Sequence, residues 1–141
     1  MSKVLRVAEI GIGNRAYIGQ HVPRVWPGAS VVAAVDPDPF GRDRAVRLFG
    51  DVALYSDTAD LLAADHVDAA IVTSPDDTHV RIALELLRAG TAVFVDKPLA
   101  TTVEGADAIL VAAQETGSPL YVGHNLRHWA WIPAVIATVG L

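Results

Sequence analysis

The sequence contains no cysteine. That excludes disulfides, thiolate-bound metal and a cysteine nucleophile, and it agrees with a cytoplasmic location. Basic residues are also scarce: 11 Lys and Arg stand against 16 Asp and Glu, a formal charge of -5. No basic face able to follow a phosphate backbone is expected, so nucleic acid is not a predicted partner. No uncharged apolar run approaches the ~20 residues of a membrane span, so no membrane partner is expected either. The opening Met1-Ser2-Lys3-Val4-Leu5-Arg6 carries no apolar signal core. Internal repeats, linkers and low-complexity stretches are missing too. What remains is a chain of 141 residues, 52% hydrophobic and only 19% charged, which reads as about one globular domain with a real core.

Apolar runs of strand length alternate with helical patterns throughout, the signature of a parallel sheet wrapped by helices. Strands are predicted near residues 4–10, 31–36, 53–55, 69–73, 92–95 and 120–122. Helices are predicted near 15–25, 40–48, 58–63, 78–88 and 103–116, with a last one from about residue 126 that Pro133 could bend. In the helix near 78–88, Val80, Ala83, Leu84 and Leu87 fall at i, i+3, i+4 and i+7 as one buried stripe. Arg88 sits in its last turn, and Gly90 can take the left-handed cap. The next helix opens on Thr101-Thr102-Val103-Glu104, a capping-box pattern, and Gly117 can close it. Val103, Ala106, Leu110 and Ala113 supply its expected inner face.

The most specific local signal lies between the first two strands. Gly11-Ile12-Gly13-Asn14-Arg15-Ala16 follows an apolar strand and precedes a helix, and Asp36 lies 23 residues past Gly13 at the end of the second strand. Gly11 allows a tight turn, and Gly13 lets backbone approach a pyrophosphate with no Cβ in the way. The helix N-terminus then aims N–H groups at the phosphates. A carboxylate about 20 residues on suits the ribose hydroxyls of a dinucleotide. The alternative is a structural turn in an α/β domain. With six strands in this order, the expected fold is α/β, a doubly wound parallel sheet (Rossmann fold) with strand order 3-2-1-4-5-6. Glu9 fits badly in a central strand. Either it turns to the crevice or pairs with an arginine, which is the expectation, or it is an ionisable group beside the site with a raised pKa.

Ligands of open α/β sheets bind outside the C-terminal ends of the strands. Three further polar segments end there: Thr73-Ser74-Pro75 with His79, then Asp96-Lys97-Pro98, then Gly123-His124-Asn125-Leu126-Arg127-His128. With the glycine turn, these make the chain resemble the Gfo/Idh/MocA oxidoreductases along essentially its whole length. Gly11-Ile12-Gly13-Asn14-Arg15-Ala16 is similar to the family's opening turn, including an Arg found in a subset. Thr73-Ser74-Pro75 with His79 resembles its T-x-P-x-x-x-H segment. Asp96-Lys97-Pro98 resembles E-K-P, with Asp in place of Glu, and Gly123 to Arg127 resembles G-x-N-x-R.

The resemblance implies that Lys97 is catalytic, orienting or polarising a substrate hydroxyl. An ammonium there favours a developing alkoxide as hydride leaves. It implies a cofactor set of Gly11, Ile12, Gly13, Asn14, Arg15, Asp36, Thr73, Ser74, Pro75, His79, Asp96, Lys97, Asn125 and Arg127. Without it, Lys97 would read as a solvated lysine and His79 as a structural histidine near a helix N-terminus. Asp36 should repel a 2′-phosphate, so NAD is expected over NADP; Arg42 and Arg44 are expected on the exposed face of the next helix. His124 and His128 show no carboxylate partner and are not expected to bind metal, and His21 and His66 have no functional neighbour.

Family members run to more than twice this length, with a second domain that completes the substrate pocket. The chain is therefore expected to hold a dinucleotide-binding domain over 1–125 and, over 126–141, a helix leading towards a further domain. Trp129, Trp131, Ile132, Val135 and Ile136 should then be exposed, and residues 129–136 are a candidate surface for self-association or a partner chain. The expected function is the cofactor domain of an NAD-dependent oxidoreductase taking hydride from a sugar, inositol or similar polyol hydroxyl. The alternatives are a non-catalytic module that senses NADH or scaffolds a partner, and another two-domain Rossmann enzyme such as an amino-acid pathway reductase.

Overall fold

The computed structural model describes residues 4–64, 66–129 and 131–139. Strand β1 (Leu5–Ile10) leads into helix α1 (Tyr17–Val25), then β2 (Ala29–Val35), α2 (Pro39–Phe49), β3 (Ala53–Tyr55), α3 (Thr58–Ala64) and β4 (Ala69–Val72). After a 3-10 turn at Asp76–Thr78 come α4 (His79–Arg88), β5 (Ala92–Asp96), α5 (Val103–Thr116) and β6 (Leu120–Gly123). A second 3-10 turn, Asn125–His128, precedes α6 (Trp131–Val139). The sheet has the order β3-β2-β1-β4-β5-β6, and every neighbouring pair is parallel. The α/β doubly wound fold is thus as the sequence implied, with element ends shifted by one or two residues except in the last helix, which starts at Trp131 after the 3-10 turn rather than near residue 126.

β1 is central and reads as an apolar strand because both of its faces are covered. Ala8 and Ile10 join the main core with Leu61 of α3, Leu86 and Leu87 of α4 and Ile109 of α5. Val7 packs on the opposite side with Ile18 and Val22 of α1. The chain runs outwards from β1 to β3, then returns to lay β4 on the other flank of β1. At that reversal the loops after β1 and β4 diverge, which opens a crevice at the C-terminal edge.

Two helix faces differ from expectation. In α4 the buried residues are His79, Ile82, Ala83, Leu86 and Leu87, while Val80 and Leu84 are only partly buried at the flank. In α5 the buried residues are Ile109 and Ala112, and Val103 and Leu110 are exposed. The cause is close helix contact: a Cβ on Gly105 would sit 2.8 Å from Val80 Cγ2. Gly105 therefore faces α4, on the stripe that also buries Ile109 and Ala112, and Val103 and Leu110 turn outwards. The α5 cap is Thr102, whose side chain accepts from Gly105 N–H, so Glu104 lies one position short of closing a capping box. Gly90 and Gly117 do adopt positive φ, +80° and +68°. Pro133 lies in the first turn of α6, where a missing N–H does not break the helix.

Helices α1 and α2 cover only the β1–β3 side of their face. Beyond α1, the sheet floor over β4–β6 is an apolar trough of about 630 Å3, lined among others by Val22, Trp26, Ile71, Phe94 and Tyr121. Trp129, Trp131, Val135 and Ile136 are exposed, and Ile132 is half-buried. Among the described residues, no helix is long and apolar enough to cross a membrane.

Candidate functional site

The crevice at the β1–β4 reversal is a cleft of about 780 Å3 whose lining includes Gly11, Ile12, Gly13, Asp36, Thr73, Ser74 and Pro75. Gly11 has φ +88°, a conformation that costs an L side chain dearly. A Cβ there would also lie 2.5 Å from Ser74 N and Cα, so the glycine turn presses directly on the loop after β4. Gly13 is different: a Cβ there would meet nothing within 4 Å. The space above it is open, as close approach of a ligand requires. Helix α1 starts at Tyr17 with Ala16 as its N-cap and no side-chain cap, which leaves its first N–H groups free of a competing side chain.

Asp36 closes one end of the cleft. Its Oδ2 accepts from Ile12 N–H at 2.7 Å and its Oδ1 from Asp38 N–H at 2.9 Å. A carboxylate oxygen has two lone pairs, so each can still accept a hydroxyl from a ribose. Gly41, in the first turn of α2, makes room: a Cβ there would collide with the Asp36 carboxylate. Sequence reasoning passed over Gly41, although a glycine within a helix one turn after the acid is a readable sign of close approach.

Two arginines are not where the sequence put them. Arg42 folds back, its Nη1 donating to the Asp36 carbonyl at 2.6 Å and the Pro37 carbonyl at 3.0 Å. Arg44 lines the cleft rather than facing bulk solvent, together with Arg47 and Arg81. Arg81 also bonds Glu85 across one helical turn at 2.9 Å.

The rest of the predicted set gathers along the same strand edge. Arg15, from the glycine turn, makes a bidentate pair with Asp96 at the end of β5, with distances of 2.8 and 2.9 Å. That pair holds the Arg15 guanidinium more firmly protonated than usual, and the Arg15 head also lies 5.9 Å from the centre of the Tyr17 ring. The pair ties the turn to the loop of exposed Lys97, whose peptide bond to Pro98 is cis. His79 is buried below the cleft, with Nδ1 2.7 Å from the Pro98 carbonyl oxygen and Nε2 3.0 Å from that of Ser74. It therefore clamps the Lys97 loop to the β4 loop and lines neither cleft. Lys97, Asn125 and Arg127 share a second cleft of about 440 Å3 with His124 and Leu126. Asn14 is exposed at the tip of the glycine turn.

Glu9 is fully buried and does not reach an arginine. Its Oε1 lies 2.8 Å from Thr73 Oγ1, which is also 2.8 Å from the Gly11 carbonyl oxygen. Its Oε2 has no hydrogen-bond partner. Burial pushes the Glu9 carboxyl well above its usual value; the Thr73 contact opposes this and the Asp96 charge adds to it. The expectation of an arginine pair is corrected because Arg15 is already held by Asp96.

Among the histidines, His128 Nε2 is 2.6 Å from the Tyr121 hydroxyl, His66 lies 3.4 Å from Asp68, and His21 borders the apolar trough. Among the described residues, no group of three His, Asp or Glu side chains is placed to hold a metal ion.

Comparison with known proteins agrees with this geometry. The model of an oxidoreductase family with an NAD-binding Rossmann fold, GFO_IDH_MocA, matches residues 5–124. An inositol 2-dehydrogenase of Klebsiella pneumoniae subsp. pneumoniae is 40% identical over 117 residues, 79% of this chain and 35% of the relative. A D-apiose dehydrogenase of Paraburkholderia graminis is 33% identical over 135 residues, 96% of this chain and 35% of the relative. The crystal structure of the WlbA dehydrogenase from Bordetella pertussis, in complex with NADH and UDP-GlcNAcA, superposes with a TM-score of 0.90 at 26% identity. It is matched over 99% of this chain and 43% of that one. The chain thus spans about a third of the length of the curated relatives it matches.

Proposed function

The chain belongs to the GFO_IDH_MocA oxidoreductase family with an NAD-binding Rossmann fold, and from that premise we propose that it is the cofactor-holding part of a dehydrogenase acting on a sugar, inositol or similar polyol. The observation that carries this reading is the shared strand edge: open space above Gly13 and the Asp36 carboxylate lie along the same edge as exposed Lys97. Residues 1–125 would form the dinucleotide unit, and residues 126–141 would lead towards further structure.

The residues present fit NAD. Gly11, Ile12 and Gly13 would cradle the pyrophosphate, Asp36 would hold the adenosine ribose, and Thr73, Ser74 and Pro75 would wall the opposite side. When bound, the nicotinamide supplies the hydride acceptor. Lys97 would then sit beside the substrate hydroxyl and stabilise its developing negative charge as the hydroxyl proton departs. Arg15, Asp96 and His79 would act through position, since all three bind the loop that carries Lys97 or the loop beside it. Asn125 and Arg127 border the cleft that holds Lys97 and would meet the substrate side.

Replacing Lys97 by methionine tests the chemistry. In NAD-dependent oxidation of a polyol by the protein that carries this chain, kcat is expected to fall by about 10²–10⁴-fold. NADH binding should stay near that of the wild type, because Lys97 does not line the larger cleft. Unchanged kcat would remove Lys97 from the reaction. A second reading, association with a partner or another copy through residues 129–136, is favoured by one observation: Trp129, Trp131, Val135 and Ile136 are all about half exposed.

A further inference from the structure

Thr73 has one hydroxyl hydrogen but two oxygen neighbours at equal distance. Glu9 Oε1 and the Gly11 carbonyl oxygen each lie 2.8 Å from its Oγ1. A carbonyl oxygen can only accept. If Glu9 is a carboxylate, it too can only accept, and one of the two contacts has no hydrogen in it. The other Glu9 oxygen, Oε2, is buried with no partner. An ionised Glu9 would therefore be a buried charge holding at most one hydrogen bond, an expensive state.

Among the described residues, no cation offsets that charge. Glu9 lies opposite Ala34 on β2 and Ile71 on β4. On the helix side its Oε2 fills the space where a Cβ of Gly19 would stand, 2.5 Å away, and Phe49 of α2 crowds the same position. Among the described residues, the charged group that acts on it is Asp96, of the same sign, and the Arg15 guanidinium is bound to Asp96. Gly19 and Glu9 thus form a matched pair, with the missing side chain of one making room for the carboxyl of the other.

We propose that Glu9 is carried as the neutral acid and serves as a positioning residue, its O–H donating to Thr73 Oγ1 so that the Thr73 hydroxyl is free to donate to the Gly11 carbonyl. Every contact then contains one hydrogen. The chain of two bonds pins the glycine turn to the loop after β4 from below, at the place where Gly11 already presses on Ser74. Glu9 lines neither cleft. Its action passes through Thr73, which lines the larger one. The proposal rests on the dinucleotide reading of that cleft for its purpose, whereas the proton itself can be read without cofactor.

Three measurements on the full chain test it. The carboxyl 13C resonance of Glu9, assigned by comparison with Glu9→Gln, is expected at the protonated position at neutral pH; an ionised resonance there overturns the proposal. The second is melting temperature against pH for wild type and Glu9→Gln. A folded state that keeps a proton which the unfolded state releases loses stability as pH rises above the ordinary carboxylate range. The wild type should therefore melt progressively lower relative to Glu9→Gln as pH rises above that range. Parallel profiles overturn the proposal. For function, Glu9→Gln can still donate to Thr73 and should hold NADH within about threefold of wild type, whereas Thr73→Val should lose about tenfold or more. A Gln variant that loses as much as Thr73→Val contradicts the relay. If wild type itself fails to bind NADH, the functional reading falls, and the resonance still decides the proton.

Discussion

Replacing Gly11 by alanine is expected to abolish NADH binding and to lower the melting temperature by roughly 10 °C. Two costs combine. The residue holds φ +88°, which penalises an L side chain by about 1–2 kcal/mol. The new Cβ would stand 2.5 Å from Ser74 N and Cα, and backbone atoms cannot swing aside like the end of a long side chain. Overpacking of this kind costs about 1–3 kcal/mol. For a domain of this size, each kcal/mol corresponds to about 2–4 °C. Gly13→Ala is the informative contrast. Its Cβ meets nothing within 4 Å, so the melting temperature should hold while NADH affinity falls. Calorimetric titration beside thermal melts reads both. If Gly13→Ala bound NADH as tightly as wild type, the phosphates could not lie above that residue.

The second large effect belongs to Asp36. Alanine there is expected to weaken NADH by about 100-fold or more, from two lost hydrogen bonds to a charged acceptor at about 1.5–3 kcal/mol each. The loss has a structural part as well, because the same carboxylate holds the Ile12 and Asp38 N–H groups. NADPH should lose less than NADH, since removing the carboxylate also removes its repulsion of a 2′-phosphate in a cleft that contains Arg44. Titration of the variant with both nucleotides measures the ratio. An unchanged preference would show that Asp36 does not face the ribose.

Strand order and the order of the loops at the sheet edge were legible because they follow from alternation and from punctuation by glycine and proline. The Rossmann architecture needed little else. Helix phase was less legible. In α5 the apolar count favours Val103 and Leu110, but α4 packs against the stripe that carries Gly105, and that contact is set by the partner helix rather than by the local pattern. Arg44 escaped for a related reason: whether a helical arginine meets solvent or a cleft depends on a few tens of degrees of rotation. The site residues were readable as types and spacings, whereas their connections were not. Nothing in the linear order of Arg15 and Asp96, or of His79 and Pro98, shows that they meet. Glu9 could be seen as an anomaly in a buried strand, but its partner Thr73 lies 64 positions away.

The fold is proposed to hold NAD at the glycine turn with the ribose against Asp36. Calorimetric titration of the chain with NADH and, separately, with NADPH tests it most directly. Saturable one-to-one binding of NADH and distinctly weaker binding of NADPH are expected. A folded chain that takes up no NADH, or binds NADPH equally well, would contradict it.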